Sequence, residues 1–218
     1  MVRSRSRKED LTLELLAERY PRLFHMAEAG SWPSIQEHGL LSTTALLDLF
    51  EVTGPRRGEI EARRRPETIR IEHPIHGTAY IRDNKPINET VLARTLEGMT
   101  LEEWYRTLNG RVFFWLTEQR LDRLRNAGPY RRRQHDILTI DTTTLLERHG
   151  DRVELAHLNT GAVHPSADYP RGAGTFRPID QYPWAQRRRI SPGEPVVELT
   201  VAYSVPDIRD VVVEVETR

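Results

Sequence analysis

Few residues in this sequence stand in spacings that do chemistry unaided. His73 and His76 form an H-x-x-H pair, a spacing that can ligate zinc from one helical face. Pro74 inside the pair opposes that helix, the chain has no cysteine, and no carboxylate cluster stands nearby, so no metal site is expected. Phosphate loops, dinucleotide fingerprints and serine nucleophile elbows are absent as well. Arginine is the other resource. All basic residues except Lys8 and Lys85 are arginines, and these bunch at 56–57, 63–65, 131–133 and 187–189. Guanidinium forks take phosphates bidentately, which suits a dinucleotide or a nucleic acid. A coding bias that trades lysine for arginine across a surface leaves the same pattern.

Two single residues depend on the strands that would carry them. Over residues 195–203, Val197, Leu199, Val201 and Tyr203 share one face of an alternating strand, and Glu198 projects from the other between Val196 and Thr200. A carboxylate there faces either a cleft or water, and the pattern alone favours water. His25 lies in the apolar run 23–27, where a histidine is either a ligand contact or a hydrogen-bonded member of the core.

The elements that must position these residues alternate in type. Asp10 is the expected cap of a first helix that Pro21 ends, followed by a strand at 23–27. Ser31, Pro33 and Gly39 bracket a second helix, and an apolar stretch covers 45–50. Residues 53–70 read as an arginine-rich loop with a short helix, and 79–82 as a short strand. Helices are expected over 88–98 and 100–109, the second opened by a Thr100/Glu103 capping box. Residues 111–117 are apolar on both alternating faces, as a central strand is. A helix over 118–126, a strand over 136–141, a helix over 142–149, a loop over 156–194 and strands over 195–203 and 210–216 complete the order.

At 218 residues, 38% hydrophobic and 29% charged, the chain has the balance of a single globular α+β domain. Residues 1–9 read as a basic, flexible tail without the apolar segment of a secretory signal. No apolar run approaches the ~20 residues of a membrane span, so no membrane partner is expected and the cytoplasm is the expected compartment. Basic and acidic residues balance at 32 each, so no global field draws the chain to nucleic acid.

Three pieces, in order, resemble DarT-type ADP-ribosyltransferases. YPRLFHMAEAGSWPSIQEHGLLST, residues 20–43, is similar to the family's opening: a strand ending in histidine, a helix carrying S-I-x-x-x-G, then G-L-L-S. IEARR, residues 60–64, looks like its I-x-x-R-R segment, and VVELTVAYSVPDI, residues 196–208, looks like its A-E-x-L-V-x-x-x-V-P strand. The segments AYIRDNKP, LNGRVFFWLTEQRL and VVELTV resemble an uncharacterised bacterial family that supplies no activity of its own. Residues 72–110, with two helices, read as an insertion in the DarT pattern, and the tyrosine of a His-Tyr-Glu signature has no counterpart.

The resemblance implies an ADP-ribosyltransferase-like mixed sheet with surrounding helices, spanning 1–218 as one domain. It implies NAD as substrate and Glu198 as the catalytic carboxylate. The implied NAD contacts are His25 with Met26 beside it, Ser42 and Thr43 at ribose or amide groups, and Arg63 or Arg64 at the pyrophosphate. Tyr80 and Trp115 are the rings expected to stack on nicotinamide, with 111–117 as the aromatic strand. The implied acceptor is nucleic acid, single-stranded DNA or RNA, as for a toxin or phage-defence effector. An NAD glycohydrolase, an RNA 2′-phosphotransferase and an inactive nucleotide- or nucleic-acid-binding domain are the alternatives.

Overall fold

The computed structural model describes residues 10–166 and 168–218; the expected tail at 1–9 lies outside them. The chain begins with α1 (Leu13–Arg19), β1 (Arg22–Glu28), α2 (Trp32–His38), β2 (Leu40–Leu41) and α3 (Thr43–Leu49). It continues through α4 (Gly54–Glu61), the β3 (Ile69–His73)–β4 (Gly77–Ile81) hairpin, α5 (Glu89–Thr95), β5 (Leu96–Glu97) and α6 (Leu101–Asn109). Next come β6 (Arg111–Trp115), α7 (Glu118–Arg125), β7 (His135–Asp141), α8 (Thr142–His149) and β8 (Val153–Ala156). The last elements are β9 (Arg171–Gly172), β10 (Arg177–Pro178), α9 (Trp184–Ile190), β11 (Glu198–Ala202), β12 (Ser204–Val205), α10 (Ile208–Val211) and β13 (Val212–Thr217).

Seven strands form one sheet in the order β10-β8-β11-β6-β1-β7-β13, and every neighbouring pair in it is antiparallel. The expected mixed sheet is thus corrected: among the named strands the only parallel pair is β5–β9, outside the large sheet. The segments 23–27, 111–117 and 195–203, each read as a strand, supply β1, β6 and β11, which are consecutive neighbours in this sheet.

Helices α1, α8, α9 and α10 bury one face of this sheet under a core built on Leu16, Leu23, Phe114, Leu138, Leu145, Trp184, Leu199 and Ile208. The opposite face is covered in two pieces. Met26 and Ile137 pack with Leu121 of α7 and Tyr130 on the β1–β7 side. Ala156, Phe176 and partly buried Phe113 pack with Leu92 of α5 and Trp104 of α6 on the β6–β11–β8 side. A seam separates the two pieces.

Local chemistry fixes several boundaries. Thr12, not Asp10, caps α1: its hydroxyl accepts the Leu15 N–H at 3.2 Å. The Thr100–Glu103 capping box forms as read. Gly39 ends α2 at φ 84°, and a Cβ there would come within 2.7 Å of the Pro206 Cα, so glycine lets β2 pair with β12. The segment read as a loop over 156–194 contains β9, β10 and α9, and the supposed helical insertion at 72–110 begins inside the β3–β4 hairpin. No helix among the described residues is long and apolar enough to cross a membrane.

Candidate active site

β1 pairs with β7 along its whole length, and β6 pairs with β11 along its own, yet β1 and β6 share the single rung Phe24–Trp115. Beyond it the two central strands part. His25 sits at the parting, with Nδ1 2.9 Å from the Phe113 carbonyl oxygen. A cavity of about 360 Å³ opens beside it, lined by His25–Glu28, α2, the start of α3, and Thr78–Arg82 of the hairpin. A second cavity of about 250 Å³ lies in the seam on the sheet's other face, with Glu198 in its wall. Thr43, Arg82, Arg111, Phe113, Trp115 and Leu124 line both, so the two are adjoining lobes with a common wall; His25 lines only the first and Glu198 only the second. His25 and Glu198 stand on strands flanking β6, a backbone separation of about 10 Å at two strand spacings.

Pleating decides what each strand gives the cleft. Glu198 is directly opposite Trp115, and Thr200 opposite Phe113, so these four side chains share the seam face. Leu199 and Val201 point into the main core, as the alternation predicted, but the strand is only Glu198–Ala202: Val196 joins that core too, and Tyr203, at φ 65°, turns out to Asp48 at 2.8 Å. Glu198 is only 2% exposed. Its carboxylate accepts the Thr160 N–H at 3.1 and 3.2 Å and the Thr160 hydroxyl at 2.6 Å. Burial pushes its pKa up to about 7, against the Thr160 bonds and the charges of Arg120 and Arg171, which lower it. Burial also lowers the His25 pKa to about 4, although the bond to Phe113 opposes this. Its ring keeps some surface toward the cavity, and at neutral pH it is an uncharged imidazole.

These shifts bear on stability with opposite signs. Glu198 holds a proton in the folded state that an unfolded glutamate (pKa ~4.3) has released, so its contribution is full below ~4.3 and lost as pH rises to about 7. His25 contributes above its unfolded value of ~6.5 and loses that contribution as pH falls toward 4. Between pH 5 and 8 the wild type should therefore lose stability relative to Glu198→Gln, by on the order of 3 kcal/mol. Urea melts of both proteins at the two pH values measure this; parallel changes would contradict the raised carboxyl.

The arginines of the cleft are not the expected ones. Arg63 is exposed, Arg64 donates to the Lys85 carbonyl at 2.8 Å, and neither lines either lobe. From that segment it is Arg65 that reaches the cleft, 7% exposed, with its guanidinium donating to the Ile60 and Arg82 carbonyls. Arg111 is occupied by Glu154 at 2.7 Å and the Thr107 carbonyl at 2.6 Å. Arg82 differs from both. Its contacts are long: 3.9 Å to Glu28, 3.5 Å to His135, and 5.5 Å from the guanidinium to the Tyr130 ring. Glu28 Oε1 beside it is buried without a hydrogen-bond partner. The shared wall thus holds a cation with uncommitted donors and a nearby orphan acceptor, which fits a ligand carrying phosphates and hydroxyls.

The remaining expected contacts divide. Met26 borders the first lobe but is buried against Leu121, Tyr130 and Ile137. Ser42 borders it too, while its oxygen caps α3 by accepting the Ala45 N–H at 3.1 Å. Thr43 lines both lobes, as does Trp115, and Tyr80 stands half-exposed at the rim of the first. His73 and His76 stack at 4.7 Å, His38 lies 5.0 Å from His76, and His73 Nδ1 accepts the backbone N–H of Ile75 and His76 in the hairpin turn. Among the described residues no group of His, Cys, Asp and Glu is placed to hold a metal ion. Sequence reasoning missed Arg82, though it sits inside the quoted AYIRDNKP segment, and Thr160, for which the loop sequence carried no signal.

A family model described as "Family of unknown function (DUF7002)" matches residues 21–212. No curated protein and no solved structure matches the chain significantly.

Proposed function

Because the chain belongs to that DUF7002 family, whose description carries no activity, we propose from the site alone that it transfers ADP-ribose from NAD to nucleic acid. The observation that supports this best is a buried carboxylate, Glu198, with a pKa near 7, in a cleft whose shared wall offers an uncommitted arginine. In such a transfer the bond between C1′ of the ribose and the nicotinamide nitrogen breaks, and its electron pair leaves with nicotinamide. Positive charge builds on the ribose as it does in glycoside hydrolysis, and the Glu198 carboxylate stabilises it. The acceptor atom bonds C1′, and its proton passes to Glu198, whose pKa near the working pH suits a general base. A neutral His25 is a hydrogen-bond partner for hydroxyls, and Phe113 and Trp115 keep water from the reacting bond. The first lobe, about 360 Å³, falls in the range that ligand sites occupy, ~300–1,000 Å³, and the second, about 250 Å³, lies just below it.

A nucleic-acid acceptor is supported by the second lobe's surroundings. Exposed Arg63 and Lys85 flank segments tied together by the Arg65–Asn84 and Tyr130–Asp83 hydrogen bonds, and exposed Arg131 and Arg132 follow Tyr130. None of these four has an acidic partner within 4.0 Å among the described residues. The test is nicotinamide release from NAD, alone and with single-stranded DNA, RNA or protein. Release that depends on DNA or RNA, with label from NAD appearing on it, is the expected result. Release without an acceptor would make the protein a glycohydrolase, and NAD binding without release a binding module.

A further inference from the structure

We propose that Thr160 is the positioning residue for Glu198: its amide and hydroxyl together aim the carboxylate into the cleft and hold it there. Every hydrogen bond to this carboxylate among the described residues comes from Thr160, which is itself completely buried. The amide spans both oxygens at 3.1 and 3.2 Å, and the hydroxyl closes on Oε2 at 2.6 Å. A carboxylate has about four acceptor sites, so two donors on one side fix its plane and leave lone pairs for the cleft.

Thr160 is held in turn from both sides. Downstream, Val163 pairs with the chain ahead of α5, its N–H donating to the Pro86 carbonyl at 3.0 Å and its carbonyl accepting the Asn88 N–H at 3.2 Å. Arg171 reaches the carbonyls of Asn159 and Ala162 on either side of it. Asn159, Gly161 and Ala162 form the cleft wall, so the turn that seats Glu198 also shapes the lobe.

The other charges facing Glu198 act from farther away. Arg120 of α7 and Arg171 of β9 favour its ionised form without contacting it. Arg65, Arg82, Arg111 and Asp83 line the same lobe. None of them hydrogen-bonds the carboxylate, so the ionised state in this buried place depends on Thr160 for direct solvation.

The test compares wild type with Thr160→Val, Thr160→Ala and Thr160→Ser, using two readouts. Isotope-edited infrared spectra of glutamate-labelled protein, taken as the difference from Glu198→Gln, follow the carboxyl itself. Loss of a charge-assisted hydrogen bond should move its titration midpoint up by about one to two pH units in the Val and Ala variants. Serine should restore it. The acid limb of nicotinamide release should move with it, giving a rate about tenfold or more lower at pH 7 that recovers at higher pH. The catalytic part rests on the transfer reading, and the infrared titration does not. A shifted titration in a protein that never releases nicotinamide would overturn the transfer reading and leave the positioning role standing. An unshifted midpoint in both the Val and Ala variants would overturn the positioning role, whatever the activity.

Discussion

Glu198→Gln should lower nicotinamide release from NAD by about 10²–10³-fold while NAD affinity changes little. The substitution keeps the shape of the side chain and an oxygen for Thr160, and removes the negative charge. Loss of one preorganised electrostatic group costs on the order of 3–4 kcal/mol at the barrier. The ground-state substrate has no positive charge at the reacting carbon, so the lost term belongs to the transition state. The fold should survive, because the carboxyl is a buried ionisable group whose replacement by an amide removes a desolvation penalty. Rates measured at pH 8, where the wild-type carboxyl is mostly ionised, give the largest contrast. Equal turnover there would remove Glu198 from the mechanism.

Arg82→Gln should weaken NAD binding by about 10- to 100-fold, the worth of a charge-assisted hydrogen bond to a phosphate. A ligand bound in both lobes would place its middle at the wall they share, and in NAD the middle is the pyrophosphate. Arg82 lines that wall and keeps its donors free of close partners, whereas Arg65 and Arg111 are spent on carbonyls and Glu154. Little stability should be lost, since Glu28 retains Arg133 at 2.8 Å. Titration calorimetry with NAD measures the loss, and Arg63→Gln and Arg64→Gln should bind within about twofold of wild type. The reverse result would restore the pyrophosphate contact to the 63–64 pair.

The strands that carry the site were legible because they are long or continuously apolar. β6 reads as central since both of its faces are covered, and β11 reads by alternation because only one of its faces meets the main core. The two-residue strands β9 and β10 hold no period to detect, and α9 runs from Trp184 into three arginines with no apolar stripe. The side of β11 that carries Glu198 was legible too. That this side is buried was not, because the turn at Thr160 that covers it arrives 38 residues earlier in the chain. Of the arginine segment 63–65 it is Arg65 that reaches the cleft, and which member turns inward depends on the Ile60 carbonyl of α4 and the Arg82 carbonyl just past β4, which no local pattern encodes.

The single rung between β1 and β6 has a mechanical consequence. A sheet joined at its centre by one rung is two leaves, β10-β8-β11-β6 and β1-β7-β13, bound along one side by the common core beneath them. On the opposite side the packing is divided, and α7 is what spans the leaves: its Leu121 packs with Met26 of β1, Trp115 of β6 packs against the same cluster, and its Arg120 pairs with Glu194 ahead of β11 at 2.7 Å. Were the angle between the leaves to change about Phe24 and Trp115, the gap at His25 and Phe113 would widen or narrow while the ladders within each leaf stayed intact. A guest in the cleft would then be mortar between the leaves, and would help to set the angle at which they rest.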